Sequence, residues 1–154
     1  MRKVKKFKLT SEFIVDISGV KLFRIKALIE FGNVKAGDLG GYIEKEENLS
    51  HMGNAWVSGN AQVSGDARVS GNAQVFGDAR VSGDKDYAYA HGFGSCNRTT
   101  TFFRLKDGDV GVRCGCFYGT LAQFRDNVCE THGETKKAQE YLMLADLMDF
   151  RFKN

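Results

Sequence analysis

The stretch Gly53–Ser82, GNAWVSGNAQVSGDARVSGNAQVFGDARVS, is one hexapeptide, G-[ND]-A-x-V-x, written five times. Self-similarity at a short fixed period marks a stacked-repeat architecture, in which each unit buries its apolar face only against its neighbours. Within each unit Ala, x and Val alternate, the two-residue period of a strand with one buried face. Ala55, Ala61, Ala67, Ala73 and Ala79 are therefore expected inside, together with Val57, Val63, Val69, Val75 and Val81. The Gly-Asn or Gly-Asp pair that opens each unit supplies the positive-φ backbone of a sharp corner. Strand and corner in alternation build a triangular prism.

This pattern resembles the left-handed hexapeptide β-helix, in which three hexapeptides make one coil; the handedness comes from that resemblance. If outward positions stack coil on coil, Gln74 lies beside Trp56 and Phe76 beside Ser58. Trp56 and Phe76 then become diagonal neighbours on one flat side, within reach of aromatic side chains. Every other outward position in the clean repeats is Ser, Gln or Arg. Two large apolar groups on a polar prism are assigned to an interface; the alternative is that they pack under the chain's own terminal segments.

Working outward from the repeat, Ile43 and Leu49 stand six and twelve residues before Ala55. They are expected in the Ala position of a degenerate first coil that begins near residue 37. The repeat unit then spans 37–86 with two to three coils, close to the minimum that buries a core, so both ends need caps. Residues 1–36 read as a β-hairpin turning at Ser18-Gly19. Residues 87–154 read as a ββαα cap. Thr99–Leu105 and Val110–Cys114 flank the turn Lys106-Asp107-Gly108-Asp109. Thr120 offers the N-cap of a helix carrying Leu121, Phe124 and Val128, which stops at His132-Gly133. A second helix is expected over about 135–150, with Ala138, Tyr141, Leu142, Ala145, Leu147 and Met148 as its apolar face. The expected fold is mainly β: a short left-handed parallel β-helix with an N-terminal hairpin and a C-terminal ββαα cap.

Composition narrows the classes. The chain has 154 residues, with 22 Lys and Arg against 19 Asp and Glu, a net charge of +3. That balance is too mild to argue for nucleic acid. The excess is uneven, because Arg2, Lys3, Lys5, Lys6 and Lys8 precede the first acid at Glu12. Such a run attracts phosphates or an acidic partner, or else is a solvated end. No apolar stretch is long enough to span a bilayer, and no secretory pattern opens the chain. Four cysteines are too few for a disulfide framework in a chain of this size, so a cytoplasmic, reduced protein is expected.

Several polar, irregular motifs carry a resemblance to small bacteriophage and prophage hexapeptide-repeat proteins, a mostly uncharacterised group. They are LFRIKALIEFGNVKAGDLGGYIEKEENLS (Leu22–Ser50), GSCNRTTTFFR (Gly94–Arg104), CGCFYGT (Cys114–Thr120) and THG (Thr131–Gly133), together with the repeat itself. The resemblance covers nearly the whole chain and implies a role in the host cytoplasm. By analogy, small phage proteins of this kind often blunt host defences, some as oligomeric sponges for signalling nucleotides.

GSCNRTTTFFR is the strongest candidate site. Ser95, Asn97, Arg98, Thr99, Thr100, Thr101 and Arg104 bring hydroxyl, amide and guanidinium donors beside Gly92 and Gly94, a composition suited to a phosphate or carboxylate. Arg113 on the paired strand joins if the register permits. Alternation places Thr99, Thr101 and Phe103 on one face and Thr100, Phe102 and Arg104 on the other, so not all can meet one ligand. The competing view is that threonines simply favour strands. Cys114, Cys116, Cys129 and His132 offer zinc-ligand types at unusual spacing; core packing of Cys114 and Cys116 is the alternative.

The three histidines, His51, His91 and His132, form no definable triad, and His51 and His91 flank the regular repeat. The expected function is therefore a non-enzymatic, cofactor-free, homo-oligomeric phage protein that binds or sequesters a small anionic ligand or a host protein. The alternatives are a hexapeptide-repeat acyltransferase relative, a structural or assembly protein polymerising through coil ends, and a nucleic-acid mimic or binder.

Overall fold

Strand alternation in the repeat and the helical spacing after Thr120 both appear in the computed structural model, which describes residues 5–94, 98–115 and 117–153. The chain is mainly β with two C-terminal helices. The elements in order are β1 (Phe7–Val15), β2 (Lys21–Ala27), β3 (Leu39–Ile43), β4 (Trp56–Val57), β5 (Gln62–Val63), β6 (Gln74–Val75) and β7 (Arg80–Val81). There follow β8 (Tyr87–Phe93), β9 (Arg98–Arg104), β10 (Val110–Cys114), β11 (Phe117–Thr120), α1 (Leu121–His132) and α2 (Lys136–Phe152). The sheets are mixed rather than uniformly parallel. A five-stranded sheet runs β1-β2-β3-β5-β7, with β1, β2 and β3 antiparallel and the remaining steps parallel. β4 and β6 pair in parallel, and Leu49 bridges Val69 in parallel.

The repeat stacks as its period demands. Trp56 lies beside Gln74 and Gln62 beside Arg80, eighteen residues on in each case. All five alanines and all five valines named above are buried, none more than 2% exposed. The corner glycines Gly53, Gly59, Gly65, Gly71 and Gly77 have φ between 61° and 70°. At Gly53 a Cβ would also sit 2.6 Å from the Gly71 carbonyl of the next coil. Any side chain there is excluded both by conformation and by space.

The first coil corrects one expectation. Tyr42 lies beside Gln62 and Leu49 beside Val69, twenty residues on. Ile43 and Leu49 therefore occupy the Val position, not the Ala position. The cause is a two-residue insertion, His51-Met52, at the corner between Leu49 and Ala55, which shifts the count. This insertion is used. The His51 Nδ1 accepts the Lys6 backbone N–H at 3.0 Å, its ring stacks on Phe7 at 4.2 Å, and its Nε2 lies 3.1 Å from Glu46. It docks the start of β1 on the prism.

Both coil ends are closed by side chains bonded to backbone groups that a further coil would have paired. At the N-terminal end Asn48 Nδ2 donates to the carbonyls of Ala67 (2.9 Å) and Gly65 (3.1 Å). Lys6, read above as part of a basic tail, is instead 1% exposed; its Nζ donates to Ala55 O at 2.6 Å and lies 4.6 Å from the Phe31 ring centre. Burial lowers its pKa to about 8. At the C-terminal end the backbone N–H groups of Arg68, Gln74 and Ser82 donate to Asp84, Thr101 and Asp86.

The cap has four strands, not two. The antiparallel sheet is ordered β11-β10-β9-β8, so β8 and β11 add to the expected hairpin. Alternating Tyr and Ala in β8 carry the strand period, and β11 is held by pairing with β10. Thr120 caps α1 in a reciprocal box with Gln123, as Thr135 caps α2 by accepting Ala138 N–H. β9 is two-sided: Phe103 enters the prism core, while Phe102 enters a second core with Phe124, Val128, Tyr141 and Met148. Among the described residues no helix is long and apolar enough to cross a membrane.

Candidate functional site

Three segments meet along the β4–β6 side of the prism and enclose a pocket of about 240 Å³. The loop after β2 supplies Gly32 and Asn33. The coil corners and β6 supply Asn54, Asn72 and Gln74. The cap supplies Thr99, Arg113 and Gly115. The corner Asn residues, which the repeat requires for its turns, thus do double duty as pocket lining.

Antiparallel pairing of β9 and β10 places Arg113 opposite Thr101, so both share the prism-facing side with Thr99. The Arg113 guanidinium lies 4.5 Å from the Phe76 ring centre, stacked rather than ion-paired. Among the described residues no carboxylate lines the pocket. The Thr99 hydroxyl is 2.7 Å from His91 Nδ1 on the adjacent strand, and Gln74 Nε2 donates to the Asn54 carbonyl at 3.4 Å. A guanidinium with no ion pair among the described residues, set among amides and a hydroxyl, is an arrangement that accepts a small phosphate or carboxylate.

The candidate residues divide. Thr99 and Arg113 line this pocket. Thr101 faces it in register, but it is fully buried and its Oγ1 accepts the Gln74 N–H at 2.9 Å, so it closes the coil end. Thr100 points the other way, fully buried, and its hydroxyl donates to Cys114 Sγ at 3.3 Å. Arg104 is also on the far side. Its Nε donates to Asp86 at 3.2 Å and its Nη2 to the Phe152 carbonyl at 3.3 Å, so it ties the cap to the last coil. Burial opposes ionisation of Asp86, yet Ser82 N–H, the Ser82 hydroxyl and Arg104 together hold its carboxyl below the ordinary range. Ser95, Asn97 and the side chain of Arg98 lie outside the described residues.

Trp56 is buried and Phe76 half-buried against the chain's own caps, the intrachain packing weighed above as the alternative to an interface. Trp56 is 4% exposed and meets Phe31 edge-on at 5.2 Å; Phe76 meets Tyr118 edge-on at 4.8 Å. The prism side that carries them is the seat of both caps. Cys114 packs beside Thr100 and Tyr141, Cys129 is exposed on α1, and Cys116 lies outside the described residues. Among the described residues no three metal-ligating groups converge. Sequence reasoning missed Asn33, Asn54, Asn72 and Gln74, because they come from separate segments and Asn at a corner already has a conformational explanation.

A family model described as the YdcK β-solenoid repeat matches residues 61–75 and 73–84. These residues span β5 to β7, so the chain carries a β-solenoid repeat at its centre. Asn72 and Gln74 fall inside the matched segment, and Thr99 and Arg113 fall outside it. No curated protein matches the chain.

Proposed function

We propose that this chain is a non-enzymatic binding protein that holds a small anionic ligand in the pocket between prism and cap. The observation that carries this reading is Arg113, positioned by Phe76 in a pocket whose described lining is rich in amides and holds no carboxylate. A bound phosphate or carboxylate would receive guanidinium and amide donors without displacing an internal ion pair. The Thr99–His91 contact extends the polar wall toward the surface.

Binding rather than catalysis is supported by how His51 is used: both ring nitrogens and the ring face are engaged in docking β1. The side-chain closure of both coil ends weighs against polymerisation through them. Three hexapeptides per left-handed coil is the finer architecture that the eighteen-residue step and the resemblance favour. The phage resemblance supports a role in the host cytoplasm, in which sequestering a metabolite or signalling nucleotide blunts a defence. Met143, Leu147 and Phe150, spaced along α2 and 70%, 54% and 80% exposed, support a homo-oligomer.

Native mass spectrometry of the protein from host lysate reads ligand and stoichiometry together. Expected is a retained anionic mass, lost in Arg113→Gln at an unchanged melting temperature. Losing a charge-assisted contact corresponds to roughly ten- to a hundredfold in affinity. Wild-type protein that carries no added mass, and takes up none from a panel of mononucleotides and dicarboxylates, would exclude the reading.

A further inference from the structure

A second cleft lies on the opposite side of the cap sheet, where the last coil, the β9–β10 turn and the C-terminal end of α2 come together. Its volume is about 660 Å³, and six cations line it: Arg80, Lys85, Arg104, Lys106, Arg151 and Lys153. Among the described residues the only carboxylate in its lining is Asp86, which already accepts Ser82 N–H at 3.0 Å, the Ser82 hydroxyl at 2.9 Å and Arg104 Nε at 3.2 Å. We propose that this cleft binds a run of linked phosphoryl groups.

Donor accounting supports this. A guanidinium has five N–H donors. Arg104 commits Nε and one Nη2 donor, and Arg80 commits only Nη1, to the carbonyls of Asn60 and Ala79. Each therefore keeps three. Lys85 and Arg151 make no ion pair among the described residues. Lys106 and Lys153 reach only Asp78 and Asp149, at 3.9 Å and 3.8 Å on open surface, and such pairs are weak and readily exchanged. The C-terminal carbonyls of α2 disfavour an anion nearby, but Arg104 bonds one of them, and Arg151 and Lys153 add charge of the right sign.

The shape selects among anions. The cleft is far larger than the 240 Å³ pocket, and a neighbouring depression of about 610 Å³ shares Arg80, Ser82 and Lys106 with it. Spaced cations along an open groove match several adjacent charges rather than one. Among the described residues no aromatic side chain lines the cleft to stack a base. Recognition falls on the phosphates themselves, from a linear polyphosphate or from the triphosphate of a nucleotide. This site is independent of the Arg113 pocket.

The test is calorimetric titration of the full chain at low salt with tripolyphosphate, ATP and inorganic phosphate. Tripolyphosphate is expected to bind with a single site and more tightly than inorganic phosphate. The double variant Lys85→Ala, Arg151→Ala, both exposed, is expected to weaken it about tenfold or more at an unchanged melting temperature. Arg113→Gln is expected to leave it unaltered, which separates this site from the pocket. ATP binding as tightly as tripolyphosphate identifies a nucleotide source; tripolyphosphate alone identifies a polyphosphate. No tripolyphosphate binding, or binding indifferent to the double variant, overturns the proposal. So does displacement by a single-stranded oligonucleotide that binds more tightly.

Discussion

The prism interior is filled by five Ala and five Val drawn from near-identical units, whereas the core under the helices uses Phe102, Phe124, Tyr141, Met148 and Phe152 once each. In the first region position is set by count: each small side chain meets its equivalent one coil away. In the second it is set by shape, because Phe124 meets the rings of Phe102 and Tyr141 edge-on at 6.0 and 5.6 Å and that of Phe117 tilted at 5.8 Å. A repeat core is cheap to specify but open at both ends. The unique residues of the chain are spent where the count stops, at Lys6, Asn48, Asp84, Asp86 and Thr101.

The sharpest way to break this comparison is inside the prism. Val69→Asp buries an unpaired charge in a coil with no polar partner and should abolish the cooperative fold, at a cost of several kcal/mol. A calorimetric transition at the wild-type temperature would refute the stacked arrangement. Next in size is Phe124→Ala, expected to cost about 3–5 kcal/mol through the void left among the rings. Hydrogen exchange should show α1 and α2 losing protection first while the amides of β4–β7 keep theirs. Uniform loss would mean that β9 couples the two cores into one unit.

The smallest effect is a pH dependence. Lys6 has a folded-state pKa near 8 against 10.5 for an ordinary lysine. Between those values the unfolded chain binds more protons than the folded one, so the Lys6 contribution to stability rises with pH across that window and is flat below it. Urea midpoints at about pH 7 and about pH 10 should therefore differ by a component that vanishes in Lys6→Met. An identical pH dependence in both proteins would place the Lys6 ammonium in water and remove it from the coil end.

How legible each region was follows from the same contrast. The period announces Val63 and Ala73 as core without any knowledge of the fold, and Thr120 announces the start of α1. Counting by six puts Ile43 and Leu49 in the Ala position, because the His51-Met52 insertion is invisible until the coils are stacked. The burial of Lys6 has no local signature, because a lysine in a basic run resembles a solvated tail and the carbonyls it meets belong to Ala55 and Gly53, some fifty residues on. For the site, strand alternation correctly set Thr99 apart from Thr100 and Arg104. It could not supply Asn33, Asn54 and Asn72, since proximity across three segments has no local signature.

The two ends of the prism are also finished at different times. Lys6 and Asn48 precede or fall within the first coil, so a chain leaving the ribosome carries its N-terminal closure with it. The opposite end waits for Asp84, Asp86 and finally Thr101, and until then the backbone N–H groups of Arg68, Gln74 and Ser82 are bare. A message cut short after Ser82 would release a stub with one sealed end and one adhesive end. Two such stubs cannot satisfy each other's donors with more donors, so a premature stop yields sticky monomers rather than an orderly stack.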